Sequence, residues 1–244
     1  MKIQNSHIII VFLLGFLKAT SVCAQEKDIK DILDRAGKFY MEQPQFKVDM
    51  TFTMYRGFYG KNVTERYQGI MQKKGDFIKN TMLNTLVYQF PKAKIIVDED
   101  GKTLTYTPTD TGQALKTPID LGVFLEYYQQ SQVLDQGNKW VCEMVAERTT
   151  IGTIPYGKVV LHISKEDYHI MRQELFFSQR VPFKSKNGSG TEQDFGRLVI
   201  DLVHHRNAAL ETRNLSDFIA VSNSKELQLQ GDYANYRLID RTTQ

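Results

Sequence analysis

Along residues 28–43, Ile29, Ile32, Leu33, Ala36, Phe39 and Tyr40 recur at steps of three and four, the pattern of a helix with one apolar side. Pro44 ends it, because proline removes a backbone donor and clashes with the preceding turn. The period then becomes two. Phe46, Val48, Met50, Phe52 and Met54 alternate with Lys47, Asp49, Thr51, Thr53 and Tyr55, which predicts a long strand with one apolar face. Residues 57–62 make a turn, 63–73 return as a second strand, and Lys74, Gly75 and Asp76 turn the chain before a third apolar stretch from Phe77. Further strands are predicted at 84–90, 94–98, 102–107, 139–147, 158–164, 169–178 and 196–204. Residues 119–130 carry Leu121, Phe124, Leu125 and Tyr128 at helical spacing, 184–193 form a polar hairpin connection, and the tail at 214–240 adds one or two edge strands.

Consecutive strands joined by short turns, with no helices between them, make antiparallel sheets. The predicted fold is therefore mainly β with helices, one domain over residues 25–244 in which a curved antiparallel sheet carries helices on one face.

The N-terminus reads differently. Lys2, a 10-residue apolar run at 8–17 and the small Ala24 form a secretory signal over residues 1–24, with the mature chain starting at Gln25. The run is half the roughly 20 residues a spanning helix needs. Acylation of Cys23 is the competing reading, although Val22 is a poor match to the small residue expected before such a cysteine. Removing the signal takes away Lys2 and Lys18, so a formal charge of +3 becomes +1, too balanced for a nucleic-acid partner. It also leaves Cys142 as the single thiol, a buried strand residue, and an exported chain without a disulfide must be held by burial.

Catalytic chemistry is hard to find. There is no Gly-x-Ser-x-Gly, and His162, His169, His204 and His205 form no helical metal pair. His204 and His205 fall on opposite faces of a strand. His162 and His169 would meet across a hairpin, but two ligands are too few for a metal. Asp98, Glu99 and Asp100 before Gly101 read as a turn. Lysines 73, 74, 79, 92 and 94 read as solvated strand ends. No metal, cofactor or reaction is implied; a hydrolase would need polar residues that meet only in the fold. What remains is a surplus of soft apolar side chains: Met50, Phe52, Met54, Met71, Phe77, Met82, Leu83 and Leu86. They fill a core, or they line a cavity for an apolar ligand. At about 0.8 kcal/mol per buried CH₂, sequestering a chain of about 14 carbons is worth on the order of 10 kcal/mol.

The order of these features resembles the periplasmic outer-membrane lipoprotein carrier family, the LolA-like proteins. The likeness rests on the signal, the helix ending near Tyr40, the strand from Phe46, Gly69-Ile-Met-Gln-Lys-Lys-Gly-Asp76, and Ile95-Ile-Val-Asp-Glu-Asp-Gly-Lys-Thr-Leu-Thr-Tyr-Thr-Pro108. It covers residues 26 to 110 and is topological beyond them. It implies an unclosed half-barrel whose concave side is covered by helices and shields lipoprotein acyl chains or another lipid on the way to the outer membrane. The protein would be a monomer, not an enzyme, with an inner-membrane donor and an outer-membrane acceptor as partners. The resemblance implies a cavity lined by Val48, Met50, Phe52, Met54, Met71, Phe77, Leu86, Ile96, Leu104 and Phe124. Residues 28–43 and 119–130 would be its lid, with Leu33 and Phe39 on it. Where the family has a lid-holding arginine this chain reads Lys73-Lys74, and Lys74 would offer similar donors. The non-enzymatic alternative is an interaction module of the cell envelope with the same fold.

Overall fold

The helix forms where its pattern lies. A computed structural model describes residues 28–109, 127–128, 130–147, 152–185, 188, 190–205, 208–221 and 226–242. In it α1 spans Ile29–Glu42. Asp28 caps the helix by accepting the Lys30 N–H at 2.9 Å, and the chain leaves at Gln43, just before Pro44. Ile32, Leu33, Ala36 and Tyr40 are buried, while Asp34, Arg35 and Lys38 face solvent.

A first antiparallel meander follows: β1 (Gln45–Arg56), β2 (Val63–Lys74), β3 (Phe77–Met82), β4 (Thr85–Phe90), β5 (Ala93–Asp98) and β6 (Thr103–Pro108). A second comprises β7 (Gln130–Gln136), β8 (Lys139–Val145), β9 (Tyr156–Ser164) and β10 (Ile170–Phe177). After the hairpin of β11 (Val181–Lys184) and β12 (Thr191–Asp194), β13 (Gly196–His205) pairs with both β10 and β1 and fuses the two meanders. The last strand, β16 (Arg237–Asp240), adds to β6 in parallel, and β14 (Ile219–Val221) with β15 (Leu227–Leu229) forms a separate hairpin. The resulting 12-stranded sheet runs β16-β6-β5-β4-β3-β2-β1-β13-β10-β9-β8-β7 and does not close on itself.

Each of the predicted strands is present. Sequence reading misses the short pair β11–β12, part of which falls in the stretch 184–193 expected to be a loop, and β7, whose apolar residues are only Val133 and Leu134. That is enough for an edge strand, because it has one neighbour and little to bury. The turn at residues 98–101 is as predicted: the Asp98 carboxylate accepts the N–H groups of Asp100 and Gly101 at 3.1 and 3.0 Å.

Register sorts the side chains onto two faces. Val48 opposes Met71 and His204, Met50 opposes Gly69 and Leu202, and Phe52 opposes Tyr67 and Ile200. This face continues through Gln173 and Leu175 to Leu161, Val159, Cys142 and Met144, and α1 packs on it. Cys142 is fully buried there, as expected, and burial pushes its thiol up to about 12.

On the other face of β3–β6 a second core gathers Phe77, Tyr88, Phe90, Ile95, Val97 and Leu104. It is covered by the C-terminal segment through Phe218, Ile219 and Tyr233, with the Phe218 and Tyr233 rings stacked at 5.2 Å. This corrects the expected site. Phe77, Leu86 and Leu104 lie on the face opposite Val48 and Met50, because Phe77 pairs with Lys74 and thus shares the face of Lys47 and Gln72. Cover is also divided: α1 packs on one side, and irregular chain with two short 3₁₀ turns covers the opposite side.

Candidate functional site

Where the α1 face crosses from β13 to β4 it is not filled. A groove of about 280 Å³ lies between Tyr40 of α1, Val48, Met50 and Phe52 of β1, Met71 of β2, Met82 of β3, Val87 of β4, Gln173 of β10, and Ile200 and Leu202 of β13. Its size falls just below the roughly 300–1,000 Å³ of small-molecule sites, and its walls are mainly apolar with a few polar groups. Gly69 helps to open it. A Cβ there would come within 2.9 Å of the Phe52 ring and 3.0 Å of the Thr81 carbonyl, so only glycine lets Phe52 lie across β2. Among the described residues the Asn80 Oδ1 atom has no hydrogen-bond partner, although it is buried at the wall. Met82, 44% exposed, marks an open side.

Lys73 holds the C-terminal end of α1 beside the groove. It shares the α1 face through its pairing with Phe46, and only 8% of it is exposed. Its ammonium donates to the Tyr40 and Met41 carbonyls at 3.0 and 2.8 Å. These belong to the last helical turn, whose carbonyls lack intrahelical donors and carry the negative end of the dipole. Burial lowers the pKa of Lys73, with Asp76 acting against the shift. The expected donor, Lys74, is exposed on the other side of the strand, and the contact with α1 is made by its neighbour Lys73. Lys79 also departs from the solvated reading, since it pairs with Glu211.

A second concavity, of about 700 Å³, adjoins the C-terminal end of α1 and mixes the Phe39 and Phe46 rings with histidines, Glu166 and Asp167. His204 Nε2 lies 3.2 Å from both the Tyr40 hydroxyl and the Ile170 carbonyl, and the Ile170 N–H donates to Tyr40 at 3.1 Å. The His169 ring is 4.5 Å from His204, and its Nδ1 is 2.5 Å from Asp167. Burial, reinforced by His169, pushes His204 down to about 4. Burial also raises the Tyr40 hydroxyl far above its ordinary value. His169 therefore meets His204 and not His162, which lies beside Glu174 at 3.4 Å on the opposite face. A bulge between Ile170 and Arg172 separates the two. Among the described residues no three His, Cys, Asp or Glu side chains are placed to hold a metal ion.

Of the residues expected at the site, Val48, Met50, Phe52 and Met71 line the groove. Met54 continues the same row beyond it, and Ile96 lies on the same face opposite Val87 without reaching it. Leu33 is buried in the α1 core, and Phe39 packs 5.9 Å from the His204 ring. Phe124 and most of the second lid segment lie outside the described residues. Sequence reading misses Tyr40, Lys73, Ile200 and Leu202 as site residues. The alternation of Leu198, Ile200 and Leu202 marks an apolar strand face, but only the pairing of β13 with β1 shows where that face lies.

No family model and no curated protein matches the chain. Among solved structures it is similar to an uncharacterized conserved protein from Thermus thermophilus, at 11% identity over 87% of this chain and 98% of that one, with a TM-score of 0.42. It is also similar to a LolA superfamily protein from Nitrosomonas europaea, at 12% identity over 74% and 94% of the two chains and a TM-score of 0.31. A DUF1329 family protein from Desulfovibrio piger gives 13% identity over 75% and 95%, with a TM-score of 0.35. At such identities the likeness is one of fold alone.

Proposed function

We propose that this protein is a non-enzymatic carrier that shelters acyl chains of a lipid or lipoprotein in the α1-covered groove during transit through the periplasm toward the outer membrane. The observation that supports this most is the groove itself: methionines and Phe52 line it, and Tyr40, in the last turn of a helix pinned at that end, borders it. Such side chains adapt to an apolar chain without fixed geometry. At about 280 Å³ the groove takes part of a long chain, and a longer one requires α1 to move away from the side that Tyr40 borders. Ligand binding and lid opening are then one equilibrium: each CH₂ buried contributes about 0.8 kcal/mol, offset by the α1 contacts given up. The protein works as a monomer between an inner-membrane donor and an outer-membrane acceptor, and no step needs a cofactor.

Lipid extraction or native mass spectrometry of the purified protein should recover acyl chains, and a fluorescent fatty acid should gain signal on binding. Phe52→Asp should abolish that gain, because it places a carboxylate in the groove without a partner. Absence of both bound lipid and signal overturns the proposal. If the protein instead co-purifies with a fixed envelope partner, the interaction-module reading replaces it.

A further inference from the structure

The β1–β2 hairpin tip, at the far end of β1 from the α1 C-terminus, holds a second apolar feature. Gly57 and Gly60, at φ +85° and +94°, turn the chain there and present Phe58 and Tyr59. Tyr59 is 88% exposed. Phe58 packs 4.8 Å from Phe195 and 5.8 Å from Phe176, and with Tyr59 and Phe177 these rings border a cleft of about 370 Å³. Cations sit among the rings: Lys158 is 5.5 Å and Arg197 5.9 Å from the Phe176 centroid, and Arg180 is 5.7 Å from that of Phe195.

The nearby carboxylates are already occupied. Lys158 holds Glu143 at 2.9 Å, Arg197 holds Glu174 at 3.3 Å, and Arg56 holds Glu192 and Asp194 at 2.5 and 2.9 Å. Arg180 and Lys61 are exposed, and among the described residues neither forms an ion pair. This end therefore presents unpaired positive charge beside exposed aromatic rings. Aromatic bodies with polar tips settle at the headgroup level of a bilayer, and Lys and Arg beside them are drawn to anionic lipid. An apolar partner protein would explain the rings but not the uncompensated cations.

We propose that the surface formed by Phe58, Tyr59, Phe195, Lys61 and Arg180 docks on an anionic bilayer. The tip continues the strand that floors the groove, so docking holds the groove beside the membrane.

Flotation of the chain from Gln25, which keeps every described residue, tests this with vesicles of phosphatidylcholine alone or mixed with phosphatidylglycerol. The protein should float with the mixed vesicles only, and added salt should release it. Tyr59→Ser should lower the bound fraction several-fold without affecting folding, since that ring is in water. Arg180→Gln should lower it by about fivefold, the weight of one charge near an anionic surface. Phe52→Asp should leave flotation intact while losing fatty-acid uptake, which separates this surface from the groove. The proposal is overturned if the mixed vesicles do not capture the protein, if both tip variants bind like the parent, or if Phe52→Asp alone loses binding.

Discussion

Lys73 is a cation placed where burial opposes it, and its two hydrogen bonds to the end of α1 are what compensate. Replacing it by methionine keeps the aliphatic stem and its packing but leaves two carbonyls of the last turn without those donors. Lys73→Met should cost about 1–3 kcal/mol in urea unfolding and, with α1 the lid of the proposed carrier, speed fatty-acid entry in stopped flow, because the end of α1 loses its anchor. Lys74→Met, at an exposed position, should do neither. Unchanged entry rates in Lys73→Met would show that the contact is structural and does not hold a lid. Gly69 allows a complementary test. Gly69→Ala drives a methyl against the Phe52 ring and pushes that ring into the groove, so uptake should weaken while the fold persists.

At the scale of elements, the end of α1 is sensitive to pH. His204 packs against Phe39 and Tyr40, beside His169 with its partner Asp167; His205 points to the opposite face, toward Asp49. The folded chain keeps His204 neutral down to about 4, whereas the unfolded chain protonates it near 6.5. Between those values the unfolded state binds more protons, so stability falls as pH drops through that window, by about 1–3 kcal/mol. Urea unfolding at a series of pH values should show this slope, and His204→Phe should flatten it. An unchanged slope in that variant would assign the effect elsewhere. The elements themselves were legible to differing degrees. The bounds of α1 follow from Asp28 and Pro44, and those of β1 from five alternating residues, because both signals are local. The weak strand β7, the parallel addition of β16 and the bulge that parts His169 from His162 depend on distant partners, so no window of sequence contains them.

Across the whole molecule, only part of the site is legible in the sequence. Alternation states which residues of one strand share a face, hence Val48, Met50 and Phe52 were legible as a group. It does not state which face the next strand shares, and nothing local to Phe77, Leu86 and Leu104 tells that they belong to the other side. The sheet thus separates two cores, one under α1 and one under the C-terminal segment. A consequence is that stability and ligand binding should come apart. Phe218 is fully buried against Tyr88, Phe90 and Tyr233 on the face away from the groove. Phe218→Ala should cost about 3–5 kcal/mol, yet the fraction that remains folded should take up fatty acid with the parent affinity. Leu33→Ala, under α1, should cost about 2–5 kcal/mol and change that affinity as well. The double variant should lose the sum of the two stabilities to within about 0.5 kcal/mol, since the sites share no partners. A larger coupling would mean that the two faces communicate through the strands between them, and that the C-terminal segment takes part in opening the groove.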